Sequence, residues 1–248
     1  MDHDTTSTVL ICGHREDPLV EALLDRSDEL RLDTVFVTEE QLFTSCPFAL
    51  VRHGRIVRGY IAGDGRIIDL QRLAGAIVRM PRAWRPSDEF DLKDQMFVYH
   101  ETMASWFAVL DRLEGLVVNR FPLGWWLHDR AFAVDLARNL ARDLDVVFGD
   151  RPSGGAISTV YRAGGETIAA DGCDDRAPRL LAARADAVAR WEKASGIALC
   201  QLDFAFDPLP RLLSVDVTPQ FDGSARHLAT ILANCTLEAI VRRQAVHA

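Results

Sequence analysis

The start of the chain carries the pattern that most constrains its fold. A short apolar run, Thr8–Cys12, ends at Gly13-His14, a helical pattern follows over 17–26, and a second apolar run occupies 34–37. Apolar runs of this length fit buried strands, and a helix between two of them joins neighbouring parallel strands. The pattern therefore predicts a strand–helix–strand unit that opens an α/β domain.

The next part of the chain continues this domain. Ala76–Arg79 predicts a further buried strand, and Leu116–Val118 predicts another. Between the first two strands and Ala76, apolar segments separated by glycine-containing turns predict a small hairpin or meander at 48–51, 56–61 and 67–70.

Two long amphipathic helices are predicted in the middle of the chain. The first covers about 87–113, with Ser87 as its cap and with an apolar stripe formed by Met96, Met103, Phe107 and Leu110. The second covers about 127–144, where apolar residues recur every four positions at Phe132, Leu136, Leu140 and Leu144.

The last third of the chain predicts an α+β arrangement with antiparallel strands. Gly196 is expected to end a single helix over about 176–195, and a turn containing Pro208 and Pro210 is expected to join two neighbouring strands. The strands are expected at 156–161, 167–170, 198–206 and 212–217, and a final helix at about 224–243. We therefore expect an α/β domain over residues 1–122 and an α+β domain over 123–248.

Composition excludes several classes of function. The net charge of -8 argues against a nucleic-acid-binding surface, which needs basic residues to neutralise phosphates. The acidic, polar start of the chain has neither a basic n-region nor an apolar span, so we expect a cytoplasmic protein with no membrane partner. Five widely spaced cysteines without a C-x-x-C pair argue against a disulfide framework or structural zinc.

Four segments, in this order, resemble the ATP-grasp ligases, especially the branch that modifies ribosomal peptides and is similar to ribosomal protein glutamate ligases. The first three are Ala76–Arg82, Phe97–Glu101 and Val117–Pro122, the last of which is similar to the family's "vNxP" strand end. The fourth places Asp203 on one strand and Asp216 on the next. The resemblance implies a Rossmann-like pre-ATP-grasp domain followed by a reduced ATP-grasp lobe.

The resemblance also implies roles for the two aspartates. The family carries an aspartate and then an "E-x-N-x-x-P" segment on adjacent strands, where hard oxygen ligands hold magnesium against the phosphates of ATP. Here the second segment reads Asp216-Val217-Thr218-Pro219, so that a shorter carboxylate and a hydroxyl replace glutamate and asparagine. Asp203 and Asp216 are thus the paired catalytic carboxylates and the metal ligands that the resemblance implies.

The chain departs from the family at the nucleotide site. The family holds ATP with one lysine at the start of the helix after "vNxP" and another on a central lobe, whereas this chain has His128-Asp129-Arg130 at the first place and only Lys93 and Lys193 overall. The residues between Leu144 and Ala156 are too few to form a central lobe. We therefore expect that the chain alone does not carry out standard ATP-dependent ligation.

Further candidate site residues follow from position in the resembled fold. His100 and Glu101 are candidate proton carriers, although such a pair is more often part of a polar helix face. Ala104 replaces the second histidine of a zinc metalloprotease motif. Six further residues are candidates for substrate binding. A solvated basic loop would also explain the arginines near Pro81, and core packing would also explain Trp126. The six candidates are Arg79, Arg82, Asn119, Arg120, Trp126 and His128.

The leading hypothesis is a degenerate ATP-grasp-like protein of specialised peptide or amino-acid biosynthesis. It would bind a carboxylate-bearing or peptide substrate in the cleft between its halves, with ATP-independent acid–base chemistry. One alternative is a non-catalytic partner of an active ligase or of its peptide substrate. Another is a carboxylate–amine ligase that uses ATP and magnesium in a reduced site, completed by a second copy of the chain. Whether the protein is an enzyme stays open at this point.

Overall fold

The computed structural model describes residues 8–45, 48–53, 56–79, 91–111, 113, 116–119, 130–150, 155–221 and 225–247. The described part contains twelve strands and seven α-helices. The strands are β1 (Thr8–Gly13), β2 (Asp33–Thr38), β3 (Phe48–His53), β4 (Ile56–Gly63), β5 (Arg66–Asp69), β6 (Leu73–Arg79), β7 (Leu116–Val118), β8 (Val147–Phe148), β9 (Ser158–Ala163), β10 (Glu166–Ala169), β11 (Leu199–Ala205) and β12 (Arg211–Asp216). The helices are α1 (Pro18–Glu29), α2 (Glu39–Thr44), α3 (Leu92–Leu110), α4 (Arg130–Leu144), α5 (Arg176–Ala183), α6 (Ala185–Ser195) and α7 (Arg226–His247).

The predicted strand–helix–strand unit is confirmed at the start of the chain. β1 and β2, which α1 connects, belong to a parallel sheet with the order β2-β1-β6-β7, which we call the N-terminal sheet. All six residues of β1 are buried, as expected for a parallel strand covered on both faces. The meander is also confirmed, because β3, β4 and β5 form a separate antiparallel sheet.

Helix α3 differs from its prediction at its start. Asp91 caps it, since its side chain accepts a hydrogen bond from the backbone N–H of Asp94, and Ser87 lies outside the described residues. Met103, Phe107 and Leu110 are buried as predicted, but Met96 is 53% exposed. Helical periodicity sets the direction of a side chain around the axis and does not establish that a neighbour covers it; this is why Met96 was wrongly assigned to the buried stripe.

The second half of the chain forms a mixed sheet with the order β10-β9-β11-β12-β8, which we call the C-terminal sheet. Its neighbours are antiparallel except β8, which runs parallel to β12. The predicted single helix over 176–195 is instead two helices, because Arg184 leaves the helical conformation at φ -117° and ψ 26°. Gly196 ends α6 in the left-handed conformation, as predicted.

Residues 145–157 form the whole connection between α4 and β9, and within it β8 adds to the edge of the C-terminal sheet. The expected domain boundary at 122–123 lies outside the described residues and stays a prediction. Of the helices in the described part of the chain, none combines the length and apolar character that crossing a membrane requires.

Candidate functional site

The C-terminal edge of the N-terminal sheet brings together residues that are distant in sequence. Gly13 at the end of β1 is in register with Thr38 of β2 on one side and with Arg79 of β6 on the other. The chain leaves β1 toward β2 on one side, while β6 occupies the other side. A crevice outside the strand ends at such a position is where open α/β sheets bind ligands.

A cavity of about 280 Å³ opens at this edge, and we call it the strand-end cavity. Loops that follow β1 and β2, the end of β6, and the segment after β12 all contribute to its wall. The lining residues are His14, Glu16, Asp17, Pro18, Glu39, Arg79, Gln220 and Phe221. Because the last two residues follow the C-terminal sheet, both halves of the chain build the cavity.

Arg79 is held in the wall of the cavity by fixed contacts. Its side chain is 2% exposed, its Nε lies 2.9 Å from Oδ2 of Asp17, and its Nη2 donates to the backbone oxygen of Pro219. The guanidinium carbon also lies 5.5 Å from the ring centre of Phe221. Burial lowers the pKa of Arg79, and the charges of Asp17 and Asp216 raise it. The cation is therefore neutralised within the fold.

These contacts pair Arg79 within the fold, but its Nη1 is buried without a partner among the described residues, so its role as an anion binder stays a prediction. Asp17 supplies the negative charge that a substrate carboxylate would have supplied, and it is fixed because its Oδ1 caps α1 by accepting from the N–H of Leu19 at 2.9 Å. The tight fit of the strand ends adds to this rigidity. A Cβ atom on Gly13 would come within 2.6 Å of the backbone oxygen of Arg79.

Glu39 also lines the cavity, and no motif in the sequence indicated it. It is the first residue of α2 and is 9% exposed, yet no described residue donates a hydrogen bond to its carboxylate. Burial raises the pKa of Glu39, and the proximity of His14 lowers it. Burial also raises the pKa of the Tyr99 hydroxyl, and the charge of Glu39 raises it further.

Asp203 and Asp216, predicted as paired carboxylates, lie on one face of the C-terminal sheet. Gln201 is in register with Asp216, and Asp203 is in register with Ser214. Because residues in register share a face and side chains alternate along each strand, all four side chains lie on the same face.

The carboxylate of Asp203 is engaged on both oxygens. Oδ1 accepts from the hydroxyl of Thr159 at 2.8 Å, and Oδ2 accepts from the hydroxyl of Ser214 at 2.7 Å. The side-chain amide of Gln201 lies 3.1 and 3.2 Å from the two oxygens. We call these four residues the Asp203 network. Asp216, beside it, accepts at Oδ1 from the N–H of Thr218 at 2.8 Å.

No family model and no curated protein matches this chain, but solved structures do. The macrocyclase MdnC from Microcystis aeruginosa MRC, bound with the precursor peptide MdnA, has a TM-score of 0.63 and 12% identity, covering 92% of this chain and 99% of MdnC. A RiPP-associated ATP-grasp ligase from Chryseobacterium gregarium, in complex with ADP and a leader and core peptide, has a TM-score of 0.62 and 8% identity, covering 92% and 97%. The ATP-grasp ligase PsnB, complexed with the precursor peptide PsnA2 and AMPPNP, has a TM-score of 0.60 and 13% identity, covering 97% and 99%.

The chain has an ATP-grasp-like fold. The resemblance expected from four short segments is thus confirmed for the fold, although identity of this level says nothing about chemistry. The mixed architecture of a parallel and a largely antiparallel sheet agrees with it.

In this ATP-grasp-like chain, the carboxylate of Asp203 is not presented as a free magnesium ligand. Magnesium needs oxygen ligands free to face it, whereas both oxygens of Asp203 already accept hydrogen bonds from side chains of its own sheet. Within the described ranges, no three histidine, cysteine, aspartate or glutamate side chains are grouped so that they could hold a metal ion. The two aspartates are brought together as predicted, but as part of a hydrogen-bonded surface.

Asn119 has a structural position in this ATP-grasp-like fold. Its Nδ2 donates to the backbone oxygens of Leu199 at 2.7 Å and Val217 at 2.8 Å, and its Oδ1 accepts from the N–H groups of Ala198 and Leu199. An asparagine side chain has two donor hydrogens and two acceptor lone pairs, so no capacity is left for a substrate. Its expected role in substrate binding is corrected to that of a clamp between the two sheets.

The other predicted site residues do not line the strand-end cavity as far as the structure describes them. His100 and Glu101 are exposed on α3, where His100 makes an edge contact with Tyr99 at 5.9 Å between ring centres. Arg82, Arg120, Trp126 and His128 lie outside the described residues. His14 and Glu39 are polar residues that directly follow the strands β1 and β2. This position after a predicted parallel strand is the sequence signal that indicates them.

Proposed function

We propose that this chain is a peptide-binding, ATP-grasp-like protein of peptide natural-product biosynthesis that does not by itself carry out nucleotide-dependent ligation. Support for the peptide comes from MdnC and PsnB, which share the fold and have been crystallised with precursor peptides. Support for the loss of ligation comes from the Asp203 network, and this network is the observation on which the proposal depends.

The Asp203 network favours a structural use of the carboxylate. Thr159, Gln201 and Ser214 all donate to it from the C-terminal sheet, so its charge is distributed over neutral donors within the fold. Binding magnesium would require some of these hydrogen bonds to break, and the freed donors would need new partners. The short connection at 145–157 supports the same proposal, because it leaves no room for a second nucleotide-holding lobe.

The strand-end cavity is the proposed place for part of the peptide. Its volume of about 280 Å³ suits a single side chain or a chain terminus. An extended peptide would therefore insert one group and lie across the surface with the rest. Because Arg79 is already paired with Asp17, we do not require the inserted group to carry a carboxylate.

Two experiments test the two parts of this proposal. Thermal unfolding with saturating ATP and magnesium is expected to give the same Tm as without them, since a ligand that binds the folded state must raise its apparent stability. A magnesium-dependent rise in Tm that Asp203→Asn abolishes would overturn the loss of the nucleotide site.

Peptide binding is tested by panning a phage-displayed peptide library on the immobilised chain. Enriched peptides are expected to lose binding to a Gln220→Trp variant, because a large ring at this exposed cavity residue fills the opening. Recovery of no binding peptide, or of peptides that bind the variant equally well, would contradict peptide binding at this cavity.

A further inference from the structure

We infer that the strand-end cavity accepts a primary ammonium group and that the carboxylate of Glu39 is its partner. This inference deepens the proposed function by naming the class of group that enters the cavity. It depends on charge, burial and free hydrogen-bonding capacity at the cavity wall.

The cavity wall carries more negative than positive charge. Glu16, Asp17 and Glu39 are acidic, and Arg79 is the one lysine or arginine among the lining residues of the described chain. Arg79 pairs with Asp17 through Nε and donates from Nη2 to the oxygen of Pro219, while its Nη1 is buried without a partner among the described residues. Asp216, whose charge reaches Arg79, adds further negative potential behind the wall. A cation entering this cavity is therefore attracted, and an anion is repelled.

Glu39 is the carboxylate with free capacity. Asp17 uses Oδ1 to cap α1 and Oδ2 to hold Arg79, whereas Glu16 is exposed to solvent. Glu39 is nine-tenths buried, lines the cavity, and receives no hydrogen bond from any described residue. Its oxygens are not among the fully buried atoms that lack a partner, and the residue lines the cavity, so an entering cation can pair with this carboxylate. The other titratable neighbours of Glu39 are His14, Cys12 and Tyr99.

An ammonium group fits better than a metal ion or a guanidinium. The described residues offer no group of three metal ligands, so an ion with several protein ligands is not favoured. An ammonium is compact and has three donors, of which Glu39 can take one while the exposed amide of Gln220 and His14 lie in the same wall. Pro18 and Phe221 line the cavity as apolar surfaces for an alkyl stem. The ligand class is thus an alkyl amine, such as a lysine side chain or an amino terminus.

The test uses n-pentylamine, which is protonated at neutral pH, and 1-pentanol, its neutral counterpart of the same length. Each is titrated into the ¹⁵N-labelled chain while the amide resonances of residues lining the cavity are followed by NMR. Pentylammonium is expected to shift the resonances of His14, Glu39 and Gln220 with saturation. The Kd of pentanol is expected to be higher by about tenfold or more, which is the usual contribution of a charge-assisted hydrogen bond.

Matched variants separate the role of Glu39 from general charge. Glu39→Gln is expected to raise the Kd of pentylammonium about tenfold, and Glu40→Gln, which makes the same change at the exposed next residue of α2, is expected to leave it unchanged. Equal binding of pentanol, tighter binding of acetate, or equal effects of the two variants would overturn the inference. A Tm of Glu39→Gln that is no lower than the wild-type value verifies that its fold is intact.

The two levels of proposal can fail separately. If panned peptides bind in a Gln220-dependent manner but pentylammonium does not bind, the ammonium inference is wrong and the peptide function stands. If pentylammonium binds through Glu39 and no peptide is recovered, the cavity is an amine site and the peptide function is wrong.

Discussion

Asp17 and Arg79 form a buried ion pair in which Oδ2 of Asp17 lies 2.9 Å from Nε of Arg79, with side chains that are 6% and 2% exposed. Asp17 precedes α1 and Arg79 ends β6, so this pair fixes the first helix to the end of the sheet. It also decides which charge remains available in the strand-end cavity, because it removes the cation and leaves Glu39. One ion pair thus couples the stability of the fold to the electrostatics of the candidate site.

Asp17→Asn is expected to destabilise the chain strongly. Asparagine can still cap α1, but it leaves the buried guanidinium of Arg79 without its counter-charge, which costs about 3–5 kcal/mol when one partner of a buried pair is removed. Urea unfolding measures the change in the free energy of unfolding. Asp25→Asn, at an exposed position of the same helix, is the matched control and is expected to change it by about 0.5 kcal/mol or less. Similar losses in both variants would show that the ion pair contributes little.

The sequence predicted the elements of the fold well because periodicity is a local property. The runs at β1, β2, β6, β11 and β12 were found from consecutive apolar residues. The predictions that failed have physical reasons as well. Whether a neighbour covers Met96 depends on residues that are remote in sequence, and the break at Arg184 depends on local backbone geometry. Neither leaves a periodic signal in the sequence.

The candidate site was harder to predict than the fold, because its residues gain their roles from distant partners. Asn119 was recognised from its motif, but its hydrogen bonds reach residues 80 and 98 positions further along the chain. Glu39 belongs to a six-residue helix that periodicity did not indicate. Arg79 was correctly placed at a strand end, but its neutralisation by Asp17 is visible only once α1 is packed.

Glu39→Gln is expected to stabilise the chain in a pH-dependent manner. Because burial raises the pKa of Glu39 in the folded state, the folded chain holds this proton more tightly than the unfolded chain. The wild-type protein is therefore penalised by this group as the pH rises from the unfolded value, about 4.3, through the higher folded value. The variant removes the penalty, so its advantage should be present at pH 7 and vanish near pH 4.

Urea unfolding at a series of pH values measures this difference between Glu39→Gln and wild type. Glu40→Gln, which lies on the exposed side of α2, controls for the change in net charge. An advantage that increases as the pH falls would contradict the assignment, because it would mean that the folded state stabilises the charged form of Glu39.

Asn119→Ala is expected to destabilise the chain without acting on the cavity. The substitution removes four hydrogen bonds and leaves the backbone oxygen of Val217 and the N–H of Ala198 to find other partners. Each unsatisfied buried group costs about 1–3 kcal/mol, so a total loss of about 3 kcal/mol or more is expected. Asn119 also has a φ of 58°, which asparagine tolerates better than alanine.

The measurement for Asn119→Ala is again urea unfolding, with Asn139→Ala at an exposed position of α4 as the matched control. Pentylammonium binding is measured on the folded variant at low urea. A variant with wild-type stability but impaired binding would instead restore Asn119 to the role of a ligand-contacting residue.

Asp203→Asn distinguishes a structural carboxylate from a catalytic one. Catalytic carboxylates are usually held at a cost in stability, so that their removal stabilises a protein. In this chain Thr159, Gln201 and Ser214 donate to Asp203, and asparagine offers one acceptor oxygen where aspartate offers two. We therefore expect Asp203→Asn to lower the free energy of unfolding by about 1–2 kcal/mol, with Asp150→Asn at an exposed position as the control. A stabilised Asp203→Asn variant would mean that the carboxylate is kept for binding or chemistry, and the nucleotide site would then have to be reconsidered together with the proposed function.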